Sequence, residues 1–429
     1  SLGTSSDGFK LIGSVEQLQS IRDNTGDYRL ISDIDASETS SWNNGSGFET
    51  LFRPDSSKNV EDFTNSDGTL QTEDYNAFAG VLDGNGYTVS GVSVANSSEE
   101  GETGIIGVAH NSDISNITFE NISISSSNTN SIKTGVIGSV VNSEITNVSV
   151  ENSNISNNST SDKDIFTGSF GSIEKIGSET TSITDVSIVN SSFSSESESD
   201  GSGTGGLVGG TVNSGSGKIT MESISVSGSV TGEKNVGGIS GVTGVFYLTP
   251  DDSTVVIEDS SSTASVTGGI KSGGLIGLLR EDTQVRNSTA SGNISGSRSG
   301  GLIGRINGSA TISNNSATGD VSGTISGGFV GVIVDNTTIT DSNAKGNVTS
   351  TNISGGFVGS TLNESEIKRS YSTGSIEADK AGGFAGYSQQ GSIVNSYSTG
   401  SVTGRSEVGG FIGRMYSDAH IEHSYTYSS

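Results

Sequence analysis

The sequence predicts an all-β fold: a right-handed parallel β-helix (β-solenoid) of about 11–13 coils, with a small N-terminal cap containing one short helix. Three observations carry this. Gly supplies 63 of 429 residues and only 16% are charged, which disfavours long helices because Gly costs about 1 kcal/mol per helix position relative to Ala. A five-residue motif recurs at GGLVG (205–209), GGISG (237–241), GGLIG (273–277, 300–304), GGFVG (327–331, 355–359), GGFAG (382–386) and GGFIG (409–413), the later copies starting 27 or 28 residues apart. Interleaved with it runs apolar-x-Asn/Asp-Ser-x-Ser/Ala-x-Gly-x-Val-x-Gly, as in VRNSTASGNISG (285–296) and IVNSYSTGSVTG (393–404). These short β-branched runs, bounded by Gly, Asn, Asp and Ser, exclude helical repeats, and the period is too short for a propeller blade.

Residues 1–77 form the cap. Ser14-Val15-Glu16-Gln17 is a capping-box pattern, and Val15, Leu18 and Ile21 follow at helical spacing, predicting a helix over 14–24 and a strand at Tyr28–Ile31. Such a cap would cover the otherwise unpaired end of the first coil. Residues 78–260 hold irregular coils. Looser motif copies TGIIG (103–107), TGVIG (134–138) and TGSFG (167–171) lie there, and Ser169 predicts an irregular turn. Steps of 31–38 residues imply loops inserted into a 27-residue coil, with candidates at 157–165, 194–204 and 249–254. Loops in 150–260 are candidate contact surfaces. Residues 261–429 hold the regular coils, and Ile421–Ser429 breaks off inside a repeat, so this end either continues, or pairs with a partner.

Stacked coils place equivalent residues above one another. Leu207, Ile239, Leu275, Leu302, Phe329, Phe357, Phe384 and Phe411 are therefore expected to form an interior ladder, beside a narrow row of Ala290, Ala317 and Ala344. The motif glycines are expected to permit positive-φ corners and close approach of coils. Asn287, Asn314, Asp341 and Asn395 fall at one corner, where side chains can bond along the axis.

These pieces resemble the GLUG-repeat family of secreted β-helix proteins. The Gly-Gly-[Leu/Phe]-[Val/Ile]-Gly copies and their Asn-Ser-Tyr-Ser-Thr-Gly partners carry the likeness. So do Tyr28-Arg29-Leu30-Ile31-Ser32-Asp33-Ile34-Asp35 and Phe78-Ala79-Gly80-Val81-Leu82-Asp83-Gly84-Asn85-Gly86. The resemblance implies a surface protein, since such repeats occur in adhesins, in large surface proteins and beside protease domains; the zinc motif of the protease relatives is missing.

The chemistry of the chain points away from catalysis. His110, His420 and His423 form no His-Glu-x-x-His motif, Cys is absent and no Gly-x-Ser-x-Gly occurs. Asp33 with Asp35, or Asp251 with Asp252, could supply acids to a carbohydrate-active enzyme, but Lys271, Arg298 and Arg305 show no shared offset. DGNG (83–86) reads as a turn. No cofactor is expected, although calcium or other cations could be held loosely at loops. A net charge of −27 argues against nucleic acid, and residues 1–200 carry −22 of it. Such a coat suits a salt-loving source or an ordinary acidic secreted protein. No run of about 18 apolar residues is present to span a membrane. The chain opens at Ser1 with no apolar leader, as expected once a secretion signal is removed. Sequons at Asn116, Asn121, Asn147, Asn287, Asn293, Asn336 and Asn347 permit glycosylation. Tyr371, Tyr397 and Tyr425 share a motif position and are expected to point outward as a strip that stacks on sugar rings or a partner. The expectation is an extracellular protein of the cell surface, acting in adhesion or surface structure through cell-surface glycans or proteins. A self-assembling filament or surface-layer subunit, joining copies end to end, and a carbohydrate-active enzyme are the alternatives.

Overall fold

The computed structural model describes residues 2–53, 76–96, 101–127, 133–160, 163–214, 216–245, 254–280, 282–416 and 418–427. They divide into two compact units, Ser1–Gly228 with Val245–Thr254, and Ser229–Gly244 with Val255–Ser429. Both are built from parallel, in-register strands returning once per coil, the arrangement of a parallel β-helix.

In the second unit the repeats stack position on position. Val285, Ile312, Ile339, Ile367, Ile393 and Ile421 are register partners in turn. So are Ile276, Ile303, Val330, Val358, Ala385 and Ile412 on another face. Leu275, Leu302, Phe329, Phe357 and Phe384 are fully buried, and the rings stack: Phe329 on Phe357 at 4.6 Å, Phe357 on Phe384 at 4.9 Å, Phe384 on Phe411 at 5.0 Å. Leu207 is equally buried in the first unit.

The motif glycines serve close approach and not backbone handedness, which corrects half of the expectation. None has a left-handed φ. A Cβ on Gly355 would come within 2.1 Å of the Val358 carbonyl oxygen, and one on Gly356 within 2.1 Å of the Gly383 oxygen. At Gly301 and Gly328 it would also press on Ala317 and Ala344, at 2.9 and 3.0 Å. The Ala row and the glycine row are both small because they face each other.

Left-handed backbone sits instead at the Asn/Asp corner: Asn287, Asn314, Asp341, Arg369 and Asn395 have φ between 49° and 57°. Asn and Asp tolerate this region best among non-glycine residues. Their side chains bond along the axis, Asn314 Nδ2 to Asn287 Oδ1 at 2.8 Å and Arg369 to Asp341 through two 2.7 Å bonds. The next residue turns inward and is buried: Ser260, Ser288, Asn315, Ser342, Ser370 and Ser396. From Ser288 onward each accepts the backbone N–H of its counterpart one coil earlier. Ser342 N donates to Ser370 Oγ at 3.3 Å, Ser370 N to Ser396 Oγ at 3.2 Å, and Ser288 N to Asn315 Oδ1 at 2.8 Å. The serine hydroxyls donate in turn to the carbonyl two residues back, as Ser370 does to Lys368 at 2.9 Å. The recurrent Asn-Ser pair thus makes the corner and satisfies the corner amide.

The first unit has more left-handed positions per coil, Asn111 and Asn142 among them. Asn116 and Asn147 form one left-handed corner with Asp185, and Asn121, Asn152 and Asn190 form a second five residues later. Strands Asp113–Glu120 and Glu144–Glu151 run eight residues through the first corner, where the second unit has four-residue strands such as Thr337–Thr340. The wider repeat step goes partly into an added corner and longer strands, and partly into stretches outside strands at 158–160, 163–165 and 196–202, within two of the expected loops. Within 194–204, Ser197 and Ser202 are buried and joined at 2.7 Å, and Ser199 Oγ bonds Asp164 at 2.5 Å. Residues 161–162, and 249–253 with Pro250, lie outside the described residues. Ser169 does not disturb its turn: it is buried, donates to the Gly206 carbonyl at 2.7 Å, and Phe170 keeps register with Ile137 and Val208.

The cap helix spans Val15–Gln19, shorter than the expected 14–24. Ser14 accepts from Gln17 N, while Gln17 Oε1 accepts from Gly13 N at 2.7 Å. The Asp23 carboxylate caps Thr25 N and turns the chain, so the helix cannot continue. Lys10–Ile12 and Tyr28–Leu30 then prolong the ladder in parallel towards Val81–Asp83. Leu18 and Ile21 line the same apolar interior as Leu82, Ile106, Ile117 and Phe119, so the cap closes that interior as predicted.

Candidate functional site

Tyr371, Tyr397 and Tyr425 are consecutive register partners on one outer face. Their neighbours Ser372 and Ser398 point inward and are fully buried, so strand alternation turns the phenols outward. The rings stack nearly parallel, 5.0 Å and 3° between Tyr371 and Tyr397, 5.4 Å and 10° between Tyr397 and Tyr425. Partial burial by the flanking rings pushes the Tyr397 phenol up, with the neighbouring phenols acting in the same sense. Arg369 and Asn395 are exposed along one border, and Thr373 and Thr399 along the other. The result is an aromatic platform framed by hydrogen-bonding groups.

The seven sequon asparagines named above are exposed. Asn116, Asn121, Asn147 and Asn287 occupy left-handed corners. Asn147 Nδ2 donates to Asn116 Oδ1 at 2.9 Å. Asn293 and Asn347 use Oδ1 to accept the next coil's Asp320 and Ser375 amides at 3.2 and 3.1 Å.

The carboxylates singled out in the sequence have structural partners. Asp33 accepts Thr88 N at 2.9 Å, and Asp35 accepts Ser37 N at 2.9 Å, which lowers its carboxyl. Asp251 and Asp252 lie outside the described residues. DGNG is a turn, with Asn85 and Gly86 at φ 52° and 80°. His420 and His423 are exposed, at 65% and 72% of their side chains. His110 is buried, and loss of hydration drives it down to about 4.

Sequence reading missed three constellations. Lys271 and Arg298 do share a coil position, since they are direct register partners. Lys133 is buried between Glu174, at 2.5 Å, and Glu102, at 3.7 Å, and burial pushes Glu102 up. An open groove of about 540 Å³ gathers Asp27, Asp113 and Glu144, and burial raises Asp113, helped by Glu144 and Asp83. Sequence separations of 31 to 86 residues hide that groove from any local pattern. Among the described residues no group of three His, Cys, Asp or Glu is placed to hold a metal ion, and no helix is long and apolar enough to cross a membrane.

Comparison with known proteins bears on the repeats. Residues 381–403 match the GLUG motif family. The chain is similar to halomucin of Haloquadratum walsbyi, 35% identical over 128 residues, which is 27% of this chain and 1% of halomucin. A crystal structure assigned as an immunoglobulin A1 protease from Bacteroides ovatus aligns over 74% of this chain and 78% of its own, at 17% identity and a TM-score of 0.40, too low to carry an argument. The eight spaced copies of the Gly-Gly motif and their stacked coils are in keeping with the GLUG motif matched at 381–403.

Proposed function

We propose that the chain is part of an extracellular, cell-surface protein in which a stiff β-helix displays the tyrosine strip as an adhesive surface for saccharides. The supporting observation is the in-register stack of Tyr371, Tyr397 and Tyr425. Stacked rings on a sheet are held without further ordering, so little conformational entropy is lost on binding. Their apolar faces and edges suit the C–H faces of sugar rings, while Asn395, Thr373 and Thr399 supply partners for hydroxyls. Similarity to a segment of halomucin supports a surface setting, as does a net charge of −27, which favours solubility where salt screens self-repulsion. Exposed sequons such as those at Asn116, Asn293 and Asn336 fit a glycoprotein.

The test is a panel of cell-wall and host glycans probed with wild type and with Y371S/Y397S/Y425S. Selective binding that the triple variant loses at least tenfold is expected. Equal binding by both, or none by wild type, overturns the reading. A carbohydrate-active alternative is favoured by one observation, the Asp27–Asp113–Glu144 groove, and cleavage of any glycan in the panel would replace adhesion by catalysis.

A further inference from the structure

Four arginines of this acidic protein are matched to carboxylates. Arg29 pairs with Asp7 and Asp83, Arg286 with Glu258, Arg369 with Asp341 and Arg414 with Glu407. Arg298 and Arg305 depart from this. Neither closes an ion pair with a described residue, although the chain has 48 acidic residues to choose from. They lie on consecutive strands, Ile294–Gly300 and Ile303–Ile306, joined by a GGLIG turn. Lys271 stands one coil from Arg298 in register, with its Nζ donating to Asn235 Oδ1 at 2.9 Å. The positive charge of Arg298 acts directly against that of Arg305.

The surroundings raise the cost of this arrangement. Leu278 and Val332 hold the Arg305 position in the adjoining coils and are buried, and Ile325 holds the Arg298 position in the next. Aliphatic neighbours exclude water and strengthen the repulsion between the guanidinium groups. Arg305 Nη2 reaches Asn307 Oδ1 only at 3.5 Å, and its Nε is buried with no acceptor. A buried donor left unmade is costly, more so on a charged group. Asp335, whose charge reaches Arg305, does so from beyond ion-pair distance, with Oδ1 accepting from Asn363 at 3.2 Å.

We propose that Arg298, Arg305 and Lys271 form an oxyanion-binding site on the second unit, one that takes a sulfate group, free or esterified on a polysaccharide. An oxyanion cancels the like-charge repulsion and gives the Arg305 fork the acceptors the protein does not provide. The site is independent of the tyrosine strip, which lies on other strands, so either can fail alone.

The test uses the full chain at fixed ionic strength in sodium chloride. Radiolabelled inorganic sulfate is measured by equilibrium dialysis, and dextran sulfate against neutral dextran by calorimetry. Wild type is expected to bind sulfate saturably, and R298Q/R305Q at least tenfold more weakly. R286Q, which removes an arginine already paired with Glu258, should bind as wild type does. Binding of dextran sulfate but not free sulfate assigns the ester; binding of free sulfate alone assigns the ion. If the double variant does not fold, R298Q alone carries the comparison. No saturable binding in either arm, or equal loss in R286Q, overturns the proposal.

Discussion

Replacing Ser370 by Ala should destabilise the second unit by about 2 kcal/mol, far more than loss of one small side chain suggests. Ser370 is 1% exposed, so water does not reach it. Its Oγ is the acceptor for the Ser342 amide at 3.3 Å, and it donates to the Lys368 carbonyl at 2.9 Å. Alanine removes both interactions and leaves a buried N–H with no acceptor. An unmade buried donor costs about 1–3 kcal/mol, and the second, ordinary hydrogen bond contributes about 0.5–1.5 kcal/mol. Part of the loss is recovered by relaxation, which sets the middle of the range. The protein supplies its own control. Asn315 occupies the equivalent position two coils earlier, accepts Ser288 N at 2.8 Å, and donates to the Val285 and Ser313 carbonyls at 2.9 Å. S370N should therefore be destabilised by less than half as much as S370A. Urea denaturation gives the two differences, and hydrogen exchange at the Ser342 amide reports the bond itself. A loss below about 0.5 kcal/mol for S370A, or equal losses for both variants, would refute the role assigned to the inward serine row.

Phe357 stacks on Phe329 and Phe384, so F357A should cost about 3–5 kcal/mol. F357L, which restores the residue used at Leu275 and Leu302, should cost only about the two ring contacts, roughly 1–2 kcal/mol, measured as denaturation midpoints. His110 should give an acid-sensitive limb. The unfolded chain takes up this proton near 6.5 and the folded one only at about 4. Its stabilising contribution is complete above 6.5 and falls away as pH drops through that window, by up to about 3 kcal/mol. H110Q should show a smaller loss than wild type between pH 6.5 and 4, read from midpoints across that range. K133M should destabilise the first unit by about 3–5 kcal/mol by stranding Glu102 and Glu174, and adding E174Q should recover part of this.

The local patterns were readable because each coil repeats one set of demands. Phe and Leu at the third motif position, Ala in the narrow row and Tyr alternating with buried Ser all follow from period-two geometry and stacking, and all were expected. Ser14 and Gln17 announced the helix start, but its end depended on the Asp23 turn. Two readings were incomplete for want of register. A spacing of 31 residues looked like a 27-residue coil with a loop, and part of the excess is a second corner, Asn116 and Asn121 each making one. The motif glycines looked like sites of positive φ, yet carbonyls of their own and of the adjoining coil forbid a side chain there.

The order of residues along the chain determined the β-helix itself, since periodic burial and turn chemistry are properties of neighbours in sequence. Which charges meet was decided only in three dimensions. Lys133 with Glu174, Lys271 with Arg298, and Asp27 with Asp113 are far apart along the chain, and only the register of stacked coils brings them together. Electrostatics depends on distance through space, and a solenoid sets that distance by coil number as much as by separation along the chain.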